Sequence, residues 1–456
     1  MKATLVIEHN ADNKGDAHMT FTTKNIKRTL KKSIKTLSQN AVKYAENPEK
    51  DFTRNRKLPF EKVIETTLSL TGKTLYGELS EQFGIHSSSP TVSAFVQQRN
   101  KIKSTAFEDL FHQFVAETNQ PITHRGYRLL AVDGSSLHVP TNPKEVDSYH
   151  QKANDSKPFN LLHLNAMYDI LRKTYVDATV EKGENKAFAT MVARNQSKVP
   201  TIYIADRGYE SYNNFAHVQE RGQKFLVRVK DSASRNGICH GLSLPVGEEF
   251  DVSLTLHISR KQTAQAKNQN LKFIAHSSPF DFLPCKIKKN EKIEPYPLYI
   301  RLVCFKLSEN SYETVATNLD KSEFDSAALK DLYAKRWGIE TSFRSLKFTV
   351  GLLYFHSKKT KLLLQEIFAK LIIYNFTQLI TSCIAVKKVT RKRVYQINFA
   401  VATQICRKFF GKNVPVAEVE ACIAKNLTPI RNLPSNPRKR RNTNPRTDTS
   451  FFYRLA

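Results

Sequence analysis

The spacing of apolar residues changes twice along this chain. From Thr23 to Ala45, Ile, Leu and Val recur at helical intervals among lysines, which predicts a basic amphipathic helix. A second helical run, Glu61 to Ser69, follows Leu58-Pro59-Phe60. Tyr76–Phe83 and Thr91–Ile102 read as two short helices separated by Gly84 and His86-Ser-Ser-Ser-Pro90. Pro90 falls just before or at the start of the second, where its missing N–H is harmless. From Tyr127 the pattern becomes that of strands: Arg128–Asp133, His163–Asp169, Thr174–Val180, Thr201–Asp206 and Phe225–Val229. The second and third form a hairpin. A crossover helix, Asn185–Asn195, precedes the fourth strand, and a helical segment, Ser211–Arg221, precedes the fifth. Past Lys230 the alternation persists in Phe250–His257, Leu271–Ala275, Tyr299–Leu307 and Glu313–Thr317, between polar stretches such as Lys286–Lys292. The pattern then returns to helices: one running through Tyr333 to Lys347 behind an Asp325 cap, and a long apolar one, Lys361–Ala385.

Composition narrows the function. Lys and Arg outnumber Asp and Glu by 71 to 42, a net charge of +29, while 40% of residues are hydrophobic. The chain can build a core and carries the electrostatic footprint of a polyanion binder. A membrane surface is the competing polyanion. Against it, no apolar stretch reaches about 20 residues, and Leu371–Val386 is interrupted by Asn375, Gln378 and Thr381. The N-terminus lacks a secretory pattern, so cytoplasmic residence is the default expectation. None of the 6 cysteines shows Cys-x2-Cys spacing, which points to free thiols rather than zinc or a disulfide framework. Arg431–Ala456, rich in Lys, Arg and Pro, reads as a basic tail suited to non-specific DNA contact. Residues 1–22 show no clear pattern.

Two apolar strands end abruptly in an acid with glycine close behind: Leu129-Leu-Ala-Val-Asp133-Gly134 and Ile202-Tyr-Ile-Ala-Asp206-Arg207-Gly208-Tyr209. Either Asp alone is more often a turn or helix cap than a catalyst. The helix at Tyr333–Lys347 supplies a third acid. At about 100° per residue, Tyr333, Arg336, Glu340 and Lys347 fall within roughly 60° of one another. Alone, Arg336 and Glu340 at i,i+4 make an ordinary surface ion pair. Three carboxylates from separate elements, however, are what hard divalent cations need for phosphodiester chemistry.

These segments resemble the DDE transposases of bacterial insertion sequences, specifically the insertion-sequence-four group. Its signature, Tyr-x2-Arg-x3-Glu-x6-Lys, is met by Tyr333, Arg336, Glu340 and Lys347, and the Asp133-Gly-Ser, Asp206-Arg-Gly-Tyr and Gly351–His356 segments are similar too. The resemblance covers about residues 55–380. It implies an α/β fold: a ribonuclease H-like catalytic core interrupted by a mostly β insertion, with an all-helical N-terminal DNA-binding domain and a helical C-terminal region. The expected divisions are 1–125 (helical), 126–230 (core, first part), 231–320 (insertion), 321–385 (core, second part) and 386–456 (helices and basic tail). It further implies Asp133, Asp206 and Glu340 as catalytic ligands of two Mg²⁺ or Mn²⁺ ions, with DNA contacts from Tyr333, Arg336 and Lys347. Trp337 is the only Trp. It suits stacking on an unpaired base and equally suits anchoring the helix in the core. The two short N-terminal helices resemble a helix-turn-helix, whose second member offers Gln97 and Arg99 to DNA, beside Thr91, Ser93, Gln98 and Lys101. Arg207, Tyr209 and Arg344 are further possible contacts. Asp169 and Asp177 read as structural, and neither His138 nor His356 is assigned a role.

The implied reaction is nicking at transposon ends, release of the flanking strand through a hairpin, and joining to target DNA. The partners are then double-stranded DNA, both transposon ends and target, and a second copy of the chain, with no membrane and no small-molecule cofactor. Residence would be cytoplasmic, on the nucleoid when bound to DNA. Two other functions fit the triad: another ribonuclease H-like nuclease, or a domesticated, non-catalytic DNA-binding protein.

Overall fold

The computed structural model describes residues 21–54, 56–151, 157–231, 234, 237–261, 270–285, 293–309, 311–385 and 394–430. The basic tail, the stretch 286–292 and most of 1–22 lie outside them.

The first helices follow the predicted pattern. In α1 (Thr23–Gln39) the Thr22 side chain caps by accepting from Asn25 N–H at 3.2 Å. Its Ile26, Leu30, Ile34 and Leu37 are buried, while Lys24, Arg28, Lys32 and Lys35 lie exposed on the other side. There follow α2 (Ala41–Tyr44), α3 (Phe60–Ser69), α4 (Leu75–Phe83), α5 (Val92–Asn100) and α6 (Thr105–Glu117). The last of these was not anticipated, although Phe107, Leu110, Phe111 and Phe114 line its buried face at helical spacing.

The strands come next: β1 (Arg128–Val139), β2 (Tyr149–His150), β3 (Phe159–Asp169) and β4 (Thr174–Val180), then helix α7 (Glu184–Arg194), β5 (Thr201–Ala205), α8 (Tyr212–Glu220) and β6 (Lys224–Val229). β1, β3 and β4 are antiparallel neighbours, whereas β1, β5 and β6 run parallel. The hairpin of β3 and β4 and the crossover helix α7 stand where they were expected. β7 (Phe250–Ser259), β8 (Leu271–Phe273), β9 (Tyr296–Ser308) and β10 (Ser311–Thr317) arise where the interrupting segment was expected. They do not form a separate layer. β10 pairs with β6, β9 with β10, and β7 with β9, so one ten-stranded sheet joins the strands before and after residue 230.

The signature segment departs from the single regular helix predicted. It divides into α9 (Ser326–Ala334), capped by Asp325, and α10 (Trp337–Arg344), followed by a π-helical turn, Ser345–Thr349. Between α9 and α10 the bonds tighten to i→i−3: Lys335 N–H to Leu332, Arg336 N–H to Tyr333 and Gly338 N–H to Lys335. The chain stays coiled but changes pitch twice, at the positions that carry the signature.

α11 (Thr360–Ser382) is buried nearly all round, which explains its apolar composition without a membrane. Among the described residues no helix is long and apolar enough to cross one. It packs against α1, α3, α6 and β4, and against α12 (Phe399–Gly411), which is followed by α13 (Val416–Lys425). N-terminal and C-terminal helices thus share one core, which also covers one face of the sheet. At β4, Asn375 of α11 accepts from Tyr175 N–H at 2.8 Å and donates to its carbonyl at 2.7 Å, satisfying an otherwise open strand edge.

Candidate active site

The parallel ladder of β1 and β5 ends at Val132 opposite Ala205. Asp133 and Asp206 each follow by one residue, so the two carboxylates emerge side by side where that ladder ends. β1 itself does not stop at Asp133 as expected but runs on to Val139, because β3 continues to pair with it. Each is tied back in the same way. Asp133 Oδ1 accepts from Gly134 N–H at 2.8 Å, and Asp206 Oδ1 accepts from Gly208 N–H at 2.9 Å, capping one turn of 3-10 helix, Arg207–Tyr209. The remaining oxygen of each makes no hydrogen bond among the described residues. Burial pushes the Asp133 carboxyl up to about 7, and the charges of Asp206 and Glu340 add to it against the opposing Gly134 N–H and Arg336.

α10 brings Glu340 across these ends. Its Ile339, Ser342 and Phe343 face inward; Ser342 Oγ lies 2.8 Å from Tyr175 Oη, and Phe343 packs on the Tyr175 ring. Glu340 Oε1 accepts from Arg336 Nη2 at 2.7 Å. The expectation that Glu340 turns to a metal while Arg336 turns to DNA is therefore not the arrangement seen: the two face each other as an i,i+4 ion pair, drawn together by proximity on the coil. The Arg336 guanidinium also lies 5.6 Å from the Tyr333 ring centroid. Burial raises the Tyr333 phenol to about 12, which keeps it neutral. Lys347 Nζ donates to the Ser136 carbonyl on β1 at 3.1 Å, and burial lowers its ammonium against the pull of Asp133.

Trp337 is 61% exposed, so core anchoring is ruled out for it. Thr341, Arg344 and Phe348, on the same side of the coil, are exposed with it. Arg207 is exposed, whereas Tyr209 is buried and so out of reach of DNA. Gln97 is exposed, its amide donating to Ser93 Oγ at 3.1 Å. Arg99 must be corrected. Its side chain is 1% exposed, pairs with Glu366 at 3.0 Å, and donates to Gln365 Oε1 at 3.0 Å and the Leu362 carbonyl at 2.8 Å. It braces α5 against α11 and has no surface to offer DNA. Asp169 and Asp177 are structural as read: Arg128 holds the first at 2.7 Å, and Arg194 holds the second at 2.8 and 3.1 Å. His356 is buried against Glu366 at 3.2 Å.

Glu184 and His163 escaped the sequence reading. A methyl group placed on Gly134 would lie 2.5 Å from His163 Nε2 and 2.8 Å from Glu184 Oε1, and one placed on Gly208 would lie 3.0 Å from Glu184 Oε2. Glu184 stands in the first turn of α7, where an acid ordinarily complements the helix dipole, so its sequence position raised no flag.

The sequence profile of the family described as Transposase DDE domain matches residues 124–376, more than half of the chain. The chain belongs to this family. It is a DDE-type transposase, an enzyme that cuts and joins DNA. A search of curated proteins finds no match. Among solved structures, a piggyBac transposase synaptic complex with hairpin DNA aligns at a TM-score of 0.46 and 9% identity, covering 92% of this transposase and 87% of that chain.

DDE transposases generally depend on divalent metal ions. The donors here fit hard cations: two adjacent carboxylates with an unbonded oxygen each, and a third carboxylate on α10; Asp133, the first of them, is driven up in pKa by burial and then by the charges of the other two. Among the described residues, no three acid, His or Cys side chains stand close enough to enclose an ion as they lie. For Glu340 the immediate reason is its bond to Arg336.

Proposed function

We propose that this transposase excises and inserts a DNA element of the insertion-sequence-four type, with Asp133, Asp206 and Glu340 holding two Mg²⁺ or Mn²⁺ ions. The observation that carries this reading is the juxtaposition of Asp133 and Asp206 just past the end of the parallel β1–β5 ladder, beneath the helix that bears Glu340. The cations would supply an activated oxygen nucleophile and charge neutralisation at the scissile phosphate. Arg336, planar and always charged, binds a DNA phosphate through its guanidinium, exchanging Glu340 for it and so releasing Glu340 toward Asp133. Lys347 supports the same backbone as a point charge, Tyr333 braces Arg336 from its buried side, and Trp337 stacks on an exposed base near the cut.

The finer assignments follow from the resemblance: end processing through a hairpin, one active site per transposon end in a homodimer, and bacterial residence on the nucleoid. The ribonuclease H-like core is supported by the strand order, with the 231–320 segment as its β extension. Gln97 on α5 and the exposed Lys24, Arg28, Lys32 and Lys35 of α1 are N-terminal contact candidates in this strongly basic chain.

The test is cleavage and joining of transposon-end DNA with Mg²⁺. Asp133→Ala or Glu340→Ala lowers cleavage by a factor on the order of 10³ or more, because a lost ligand removes several kcal/mol of transition-state stabilisation. Equal cleavage by wild type and Asp133→Ala sinks the assignment. Cutting without joining makes the protein a nuclease.

A further inference from the structure

The two carboxylate-bearing turns share a support on the face of the sheet covered by α7. Asp133 and Asp206 are each oriented by a bond from a following glycine N–H, Gly134 or Gly208. Behind those two glycines lies a single carboxylate, that of Glu184. Oε1 is 2.8 Å from where a Gly134 methyl would sit, and Oε2 is 3.0 Å from where a Gly208 methyl would sit. Asp206 Oδ1 is also 3.0 Å from that second point, so the Glu184 and Asp206 carboxylates are close neighbours.

Glu184 is held from two directions. It begins α7 directly after Gly183, whose φ of +96° turns the chain into the helix, so its charge sits at the positive end of the α7 dipole. His163 on β3 brings Nε2 to 3.2 Å from Glu184 Oε1, and its Nδ1 lies 3.3 Å from Ser136 Oγ. The Ser136 carbonyl in turn accepts from Lys347. His163 Nε2 makes no hydrogen bond among the described residues, so its link to Glu184 is electrostatic, whereas Ser136 joins His163 on one side and Lys347 on the other.

Simple filling of this space would be met by a neutral side chain. A carboxylate close to that of Asp206 carries an electrostatic cost, yet here it spans both glycines and is met by a helix N-terminus and an imidazole. We propose that Glu184, oriented by His163, is a positioning residue that sets the separation of the Asp133 and Asp206 carboxylates and thereby the site's affinity for divalent cations. This rests on the assignment of Asp133 and Asp206 as cation ligands. It makes the glycines at 134 and 208 part of the same device, because a side chain at 134 would crowd His163 and Glu184, and one at 208 would press on Asp206 and Glu184.

The experiment titrates the full-length protein with Mn²⁺ alone, without DNA, read by calorimetry and by fluorescence of Trp337, the only Trp, on the helix bearing Glu340. Glu184→Gln keeps the shape and removes the charge; it raises the half-saturating Mn²⁺ concentration on the order of 10-fold, the scale typical of lost outer supports. His163→Asn, which frees Glu184 without altering it, shifts binding in the same direction, and Asp133→Asn shifts it further than either. Half-saturation within twofold of wild type for Glu184→Gln, alongside loss of binding in Asp133→Asn, overturns this inference and leaves the triad intact. Wild-type binding by Asp133→Asn overturns the triad itself. Should Glu184→Gln fail to fold, His163→Asn decides by the same twofold criterion.

Discussion

Two carboxylates of this protein are pushed in opposite directions. Glu366, on α11, is fully buried, and burial alone would raise its carboxyl. Arg99, the hydrogen bond from His356 and the charge of Lys370 instead hold it down at about 2. Asp133, on β1 just past its ladder with β5, is raised to about 7 by burial and by the neighbouring Asp206 and Glu340. The two arginines differ in parallel. Arg99 meets an acid distant in sequence and spends its guanidinium on three acceptors, whereas Arg336 meets an acid one turn away and leaves its Nε buried without a hydrogen bond among the described residues. A saturated cluster holds helices together. An under-compensated one has charge and donors left over for a cation and a phosphate.

Breaking the saturated cluster has the largest expected effect on stability. Glu366→Gln leaves the Arg99 charge buried without its counter-ion and costs about 3–5 kcal/mol in denaturant unfolding at pH 7. The pH dependence carries the same signature. Because the folded carboxyl lies below its unfolded value, its stabilisation is full above about pH 4.5 and is lost as pH falls toward about 2. The wild type therefore loses stability across that window more steeply than Glu366→Gln does.

Asp133→Asn is expected to act with the opposite sign. The folded carboxyl lies above its unfolded value, so ionising it costs stability as pH rises from about 4 through about 7. Without divalent cations at pH 8 the variant is more stable than wild type by about 1–3 kcal/mol, allowing for solvent screening at this half-open site. The difference vanishes near pH 4. A destabilised Asp133→Asn at pH 8 would place Asp133 in the same class as Glu366.

The smallest stability effect belongs to the exposed groups. Gln97→Ala shifts unfolding by less than about 1 kcal/mol; Arg336→Gln removes a largely buried guanidinium bonded to Glu340 and costs about 1–3 kcal/mol. Arg336→Gln also lowers cleavage of transposon ends, by roughly 10- to 100-fold if one charge-assisted phosphate contact is lost. Arg336→Gln with wild-type cleavage would reduce its pair with Glu340 to a surface ion pair.

The parts of the fold read correctly from sequence are those in which local pattern and tertiary fate agree. The end of β5 at Asp206, the hairpin of β3 and β4, and the crossover helix α7 all lie within a few residues of their expected places, because apolar patterning and turn residues are local properties; β1 was expected to stop at Asp133 and runs on to Val139, because β3 continues to pair with it. Arg99 was misread because its neighbours Gln97, Gln98 and Lys101 are polar, and only the approach of α11 turns that side of α5 into an interior. Glu184 went unseen because an acid in the first turn of a helix has an ordinary explanation. Its importance comes from two glycines on other elements.

By itself, then, the sequence determined the enzyme family and the order of the first strands, and it singled out the three acids proposed as ligands, since each rests on residue type and near-neighbour spacing. Only the tertiary structure decided that the insertion strands extend the same sheet, that Arg99 is a buried strut, that Glu340 rests on Arg336, and that Glu184 backs both aspartate turns. Those outcomes depend on contacts between residues far apart in the chain, whose energies are set by burial and by the charges the fold brings alongside.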